Sequence, residues 1–467
     1  MEVPEGYILV KESDYKSILA RLDKLELENA ELRNRLNLNS NNSHKPPSSD
    51  GYSKKPIVHN NRVKGHKKPG GQPGHEGRTL LMAECPGKVV EIDVHGECPC
   101  GRALVKGRLV GYNRRQVLDL VPQLVETIEY RGLIRECKCG RIHKGSLGTP
   151  GVIRYGNGIK TLAVYLSQQQ LIPYDRLQQI INDLLGIKIS DCFLAGANEQ
   201  CFDRLEEFEE ANKAALMGEK VLCCDETGIR AEGSLKWVHT LSSKGRTHYQ
   251  IHPKRGKGAI DHIGVLPLFK GTCVHDRFSP YQEYDCTHAF CNAHLLRDLT
   301  GLVEEDKKAW AKQMKRLLLK CKSARDNGLL NKAKLKSLNN LYDNIIIRYK
   351  STEVFLQPTW SRGPRHGKKR GRPKRTKSLC LLEVFEQKKS QILRFLYDPN
   401  VPFDNNLAER DLRMVKLKQK ISGCFRTQKG SEIFCRIRSY ISTSRKQNHN
   451  VMQALKSAIE GHAILFS

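Results

Sequence analysis

KVLCCDETGIR, Lys220 to Arg230, is a short apolar run that ends in acid. Val221 to Cys224 have the pattern of a buried strand, and Asp225 and Glu226 follow at once. The pattern returns in GTCVHD, residues 271–276, where the run closes on Asp276. Between them LKWVHTLSS and RTHYQIHPKRG alternate as strands, and IDHIGVLPLFKG reads as a helix or turn. Acids at strand ends project toward a cleft, so Asp225 and Asp276 are expected to face one. Helical patterns flank this block on both sides, which makes the chain a multidomain α+β protein.

A third acid stands far along the chain. In FDNNLAERDLR, Phe403 to Arg413, Asp404 or Asn405 can cap a helix that starts there. Ala408, Leu412 and Val415 form an apolar stripe on it, and Glu409 lies beside the stripe. One reading makes Glu409 a surface partner of Arg413, worth about 0.3–0.5 kcal/mol, and makes Asp225 the plain end of a strand. The other gathers Asp225, Asp276 and Glu409. Three carboxylates repel unless divalent cations compensate them, and hard oxygen ligands suit magnesium. Two such ions about 3.5–4 Å apart promote in-line displacement at a phosphodiester.

The charge balance supports a polyanionic partner. Lys and Arg number 79 against 50 Asp and Glu, a net charge of +29. The excess is clustered: nine cations against three acids in 44–88, nine against none in 361–377, eleven against two in 410–446. Solubility alone does not require three such clusters, and nucleic acid is the expected partner. No run of eighteen apolar residues can span a membrane, and the start MEVPEGYILVKESDY lacks a signal-peptide core, so the expected location is the cytoplasm. Sixteen cysteines in such a chain argue against a disulfide framework.

Residues 1–40 carry a heptad: Tyr15, Leu22, Asn29 and Leu36 at one seam position, Ile18, Leu25 and Leu32 at the other. A short coiled coil is expected, with Asn29 fixing register and a dimer; the alternative is an amphipathic helix packed on its own chain. Residues 41–84 are a basic linker rich in Pro, Ser, Asn and Gly, suited to contact with DNA. Residues 85–150 read as short strands between two knuckles, CPCG with Cys98 and Cys100, and CKCG with Cys137 and Cys139. Four thiolates make a closed zinc site that would staple a small β module; His95 and His143 are alternative ligands, and unmetallated turns the alternative reading. Residues 151–217 form a helical connector or DNA-binding lobe. Residues 218–300 hold the strands, 301–400 are long helices around a basic loop at 361–378, 401–445 are the helices after Phe403, and 446–467 a C-terminal helix.

CDETGIR, HDRFSPYQEY, CNAHLLRDL and FDNNLAERDLR, in this order, resemble the bacterial insertion-sequence-66 family of transposases. So do SNNSHKPPSSD, KKPGGQPGHEG, the two knuckles and the heptad start. The resemblance covers nearly the whole chain, and GGQPGHEG and NNLAER are its most specific pieces. It implies a DDE-type enzyme with an RNase H-like core, interrupted by a helical insertion over about residues 300–400. It assigns Asp225, Asp276 and Glu409 as ligands of two magnesium ions, with manganese as a substitute. CNAH, with Cys291 and His294, looks like the Cys-x-x-His feature of several such families, placing His294 near the scissile phosphate; a structural histidine is the alternative. The first knuckle departs from the family's C-P-x-C-G by one residue, which puts the zinc geometry in question. RGRP resembles an AT-hook, with Arg370 and Arg372 in an A·T minor groove; a basic linker is the alternative.

The expected activity is DNA cleavage at the ends of a mobile element followed by strand transfer to target DNA. Arg410, Arg413, Lys416, Lys418 and Lys420 are the expected phosphate contacts. A homo-oligomer, at least a dimer, would pair two ends, with helper proteins of the same element as further partners. The rivals are an RNase H-like nuclease or resolvase without strand transfer, and a non-enzymatic zinc-dependent DNA-binding protein.

Overall fold

The computed structural model describes residues 11–37, 42, 84–85, 89–91, 98–101, 103, 125–131, 133–136, 139, 142–144, 154–356 and 375–466. Two compact units divide the chain, residues 57–150 and the remainder. Cys137, Arg370 and Arg372, and most of the linker, lie outside the described residues.

Helix α1 (Glu12–Asn37) takes the heptad segment. Tyr15, Ile18, Leu22, Leu25, Leu32 and Leu36 are all exposed, from 47% at Leu25 to 83% at Leu36. None of these seam residues is buried against the described residues.

The 57–150 unit contains a hairpin of β1 (Ile134–Glu136) and β2 (Ile142–Lys144), antiparallel with Arg135 opposite His143. Cys139, of the CKCG knuckle, is in a turn between them. At the other knuckle the Gly101 N–H donates to the Cys98 carbonyl at 2.7 Å, closing a tight turn. Residues 125–131, expected within a strand, are in none.

In the larger unit, α2 (Asn157–Val164) runs on through a π turn at Tyr165–Gln169 into α3 (Tyr174–Leu185), α4 (Asp191–Arg204) and α5 (Glu206–Met217). Pro173 precedes α3 and Gly186 ends it, as their chemistry dictates. Ser190 caps α4 by accepting the Phe193 N–H at 3.2 Å. The sheet follows: β3 (Val221–Ala231), β4 (Ser234–Ser242) and β5 (Thr247–His252), then α6 (Lys257–Ile263), β6 (Thr272–His275), β7 (Thr287–Phe290) and α7 (Asn292–Glu304). Glu232 and Gly233 both take positive φ, +53° and +71°, the two-residue turn that matches the twist of a hairpin. Strand order is β5-β4-β3-β6-β7, with β3, β4 and β5 antiparallel and β6 and β7 parallel to β3. Gly271 has no room for a side chain: a Cβ there would stand 2.6 Å from the Lys220 carbonyl, where β6 crosses the start of β3.

The long helices are α8 (Ala309–Asp326), α9 (Lys332–Phe355) and α10 (Lys377–Gln387), followed by the short turns α11 (Lys389–Ile392) and α12 (Arg394–Tyr397). Then come α13 (Asn406–Ser422), α14 (Gln428–Lys446) and α15 (Val451–Glu460). Asn331, Thr376, Thr427 and Asn450 cap α9, α10, α14 and α15 through their side chains.

Side-chain alternation divides the sheet into two faces. Leu222, Cys224 and Cys273 pack with Leu216 of α5, Ile260 and Ile263 of α6, and Phe269. On the opposite face Cys223, Val274 and Phe290 share one core with Leu295 of α7, Trp310 of α8, Tyr342 of α9 and Phe385 of α10. The inserted helices are thus built into the core of the sheet. Farther along that face, Ile229, Val238 and Tyr249 pack with Leu412 and Val415 of α13 and Phe434 of α14. The connector helices share a further core with α14 and α15, through Phe208, Tyr440 and Leu455. No described helix is long and apolar enough to cross a membrane.

Candidate active site

Asp225 is not at a strand end, as its sequence context suggested. It lies inside β3, which continues to Ala231 paired with β4. What ends near Asp225 is the parallel ladder with β6, at Cys223 opposite Val274. The ladder register pairs Val221 with Thr272, so two residues beyond its end Asp225 comes level with Asp276. In-register neighbours on parallel strands project to the same face about 4.8 Å apart. By alternation along β3, Asp225 lies on that face between Cys223 of one core and Ile229 of the other, and the charges of Asp276 and Glu409 both act on it. Asp276 directly follows β6, its Oδ1 accepting the Phe278 N–H at 3.0 Å, and Arg277 turns the chain with φ +78°.

Glu226, the other acid of the pair, faces the opposite way and is fully engaged. Arg255 donates to its Oε1 from Nε at 2.8 Å and Nη2 at 2.7 Å, and the Tyr281 hydroxyl donates to Oε2 at 2.7 Å. Arg255 is held between Trp237 and Phe278, its Cζ 4.9 and 4.1 Å from their ring centroids. Asp225 has no comparable counter-charge. Burial pushes its carboxyl well above the ordinary range, and the charges of Glu226, Asp276 and Glu409 push it further.

Glu409 reaches the same place from α13. Its carboxyl is also raised, first by burial, with Arg297 and Arg413 opposing and Asp404 and Asp276 adding to the rise. The Arg413 pairing expected from spacing is not its close contact. His294 Nδ1 and Arg297 Nη2, both from α7, each stand 3.8 Å from Glu409 Oε1, too far for a hydrogen bond. That oxygen is buried and has no donor. Arg297 Nη2 lies 3.3 Å from His294 Nε2, and a guanidinium only donates. Nε2 is therefore the acceptor, which leaves the proton of a neutral His294 on Nδ1, facing Glu409. Arg297 escaped the sequence reading, although its three-residue spacing from His294 in CNAHLLRDL was a usable signal.

Asn405 begins α13 but does not cap it; Asp404 Oδ1 instead accepts the Asn406 N–H at 3.1 Å. Arg410, Arg413, Lys416 and Lys420 are exposed along the helix, and Lys418 is half-buried. Lys416 is partly committed within the fold, its Nζ donating to the Gly228 carbonyl at 2.5 Å. Burial lowers the ammonium groups of Lys416 and Lys418.

The donor chemistry fits a divalent cation. Asp225 and Glu409 are carboxyls whose burial disfavours charge, the charge of Asp276 acts on both, and Glu409 Oε1 is a buried oxygen with no donor. A second set, Cys291, His294 and Glu409, has its ligand atoms within 4.8 Å of one another. Thiol, imidazole and carboxylate would suit a softer ion than magnesium. Yet burial pushes the Cys291 thiol up to about 12, its sulfur already accepts the Asn405 N–H at 3.2 Å, and Arg297 stands against the other two members. Cys291 is thus committed to a hydrogen bond with the start of α13, and Glu409 Oε1 has no donor among the three. Among the described residues, the thiols of Cys98, Cys100 and Cys139 do not gather into a ligand set.

A mixed five-stranded sheet with carboxylates at its centre and helices on both faces is consistent with an RNase H-like core of the DDE class. A family model described as the Transposase IS66 family matches residues 153–433, and the chain belongs to that family. The match takes in all three carboxylates, the sheet and the inserted helices. Membership implies a DNA-transposing enzyme that uses a divalent metal. A second model, for a family of unknown function, matches residues 6–80, which include α1 and the basic linker. No curated protein matches the chain.

Proposed function

We propose that this protein cuts DNA at the ends of its own mobile element and joins them to target DNA. The observation that carries the reading is the β3–β6 register, whose continuation brings Asp225 level with Asp276, and it is supported by the charge of Glu409 acting on Asp225. Asp225, Asp276 and Glu409 would hold magnesium or manganese, which supplies the Lewis acidity for displacement at phosphorus. Burial raises the cost of charge at Asp225 and Glu409, a cost that a bound cation would offset. Arg297 and His294 flank Glu409 and suit a phosphate oxygen at the same place, His294 through its Nδ1–H. The exposed cations of α13, Arg410, Arg413 and Lys420 among them, continue this positive surface for the DNA backbone. RGRP, with Arg370 and Arg372, is proposed as a minor-groove contact, and Cys98, Cys100, Cys137 and Cys139 as a zinc staple of the 57–150 unit.

The deciding experiment is a strand-transfer assay in magnesium with a labelled element end and plasmid target. Joined product is expected. Cleavage without joining would leave a nuclease or resolvase, and binding without cleavage would leave a DNA-binding protein.

Two element ends need two protomers, and α1 offers the means. Its exposed apolar seam, with Asn29 in register, is proposed as a parallel dimeric coiled coil. Replacing Leu22 and Leu25 by Asp should halve the mass seen in light scattering and leave the circular dichroism of the remaining fold unchanged. An unaltered oligomer would remove α1 as the interface.

A further inference from the structure

We infer that Asn405 is a positioning residue: it fastens the start of α13 to β3 and so sets the distance of Glu409 from Asp225. The inference rests on the carboxylate reading given above. Asn405 is wholly buried. Its side-chain Nδ2 donates to the Cys224 carbonyl at 2.8 Å, the residue before Asp225. Its backbone N–H donates to Cys291 Sγ at 3.2 Å. The Cys291 N–H in turn donates to the carbonyl of His275 at 2.9 Å, the residue before Asp276. The Asn405 carbonyl accepts the Glu409 N–H at 3.2 Å, the bond that opens α13. One short chain of hydrogen bonds therefore runs from the residue before each aspartate to the turn that carries the glutamate.

Local stability does not account for this use of an asparagine. At the first position of a helix its side chain ordinarily accepts one of the helix's own free N–H groups. Here it makes no such bond, and its Oδ1 is buried without a donor. A residue that forgoes the cap and strands an oxygen has been spent on placing one element against another. Placement matters at such a site, because an error of about 1 Å costs about a hundredfold in rate.

Asn212 provides a matched control elsewhere in the fold. It too is wholly buried, donates from Nδ2 to a strand carbonyl, that of Thr247 at 3.0 Å, and leaves Oδ1 without a donor. Asn405→Ala and Asn212→Ala should lower the melting temperature alike. Only Asn405→Ala should weaken manganese binding, read by electron paramagnetic resonance, by about tenfold or more per folded molecule, and strand transfer by about a hundredfold. Asn212→Ala should keep both within about twofold. If Asn405→Ala does not fold, Cys291→Ala breaks the same chain at its other member and is read the same way. Equal effects of the Asn405 and Asn212 variants, or normal manganese binding by Asn405→Ala, overturn the inference. Glu409→Gln separates the two levels. If that variant binds manganese and joins DNA like wild type, the carboxylate reading fails; if it is inert while Asn405→Ala is normal, only the positioning role fails.

Discussion

Glu409→Gln is expected to reduce strand transfer by at least about a thousandfold, an increase of about 4 kcal/mol in the barrier. The amide keeps the shape of the side chain, so Ala408, Leu412 and Val415 still seat α13 on the sheet. What disappears is the ionisable group, and one of its two oxygens becomes an amide nitrogen that donates where a cation needs an acceptor. Arg297 and His294, each 3.8 Å away, then face a neutral group, so binding of the DNA end should stay within about twofold or tighten. Electrophoretic mobility shift and product gels on the same preparation separate the two effects. Joining at the wild-type rate would show that Glu409 carries no part of the chemistry.

The second large effect is on stability. Burial and mutual repulsion raise the carboxyls of Asp225 and Glu409. A carboxyl raised on folding binds its proton more tightly in the folded than in the unfolded chain. The metal-free protein is therefore expected to lose stability as pH climbs from the ordinary carboxyl range through the raised values, and to bear the whole cost only once both groups have ionised. Magnesium should restore it, by about 2.7 kcal/mol at a hundredfold excess over its dissociation constant. Asp225→Asn should melt higher than wild type in EDTA at pH 7.5, show a flatter dependence on pH, and gain little from magnesium. Differential scanning fluorimetry from pH 5 to 8, with and without the ion, reads all three. A wild-type melting curve indifferent to magnesium would speak against a cation at this place.

Parts of this site were legible in the sequence, and the reasons differ by residue. Asp225 and Asp276 announced themselves because each closes a run of apolar residues, and such runs are the most readable pattern of a buried strand. Their pairing was not readable, since it depends on a register of 51 residues fixed only when β6 lies along β3. Placing Asp225 at a strand end failed because β3 keeps a partner, β4, after β6 has stopped. Strand β7 was overlooked because THAF is only four residues long and half of it is polar. Glu409 stood out only beside its motif; locally it looked like a partner for Arg413, and the cations it meets come from α7. Asp404 and Asn405 looked like interchangeable caps, and their contacts with Asn406 and with Cys224 distinguish them.

The built-in position of α8, α9 and α10 also sets an order of events during synthesis. Val274 and Phe290 of β6 and β7 leave the ribosome before the side chains that cover them, Trp310, Tyr342 and Phe385. Glu409 follows Asp276 by 133 residues, 409 less 276, and at roughly 5–20 residues per second that is an interval of several to nearly thirty seconds. Through that interval the nascent chain carries two of its three acids, an open apolar face and no means of closing the site. A product truncated in the insertion would lack Glu409 and leave that apolar face open, so it is expected to aggregate and not to join DNA.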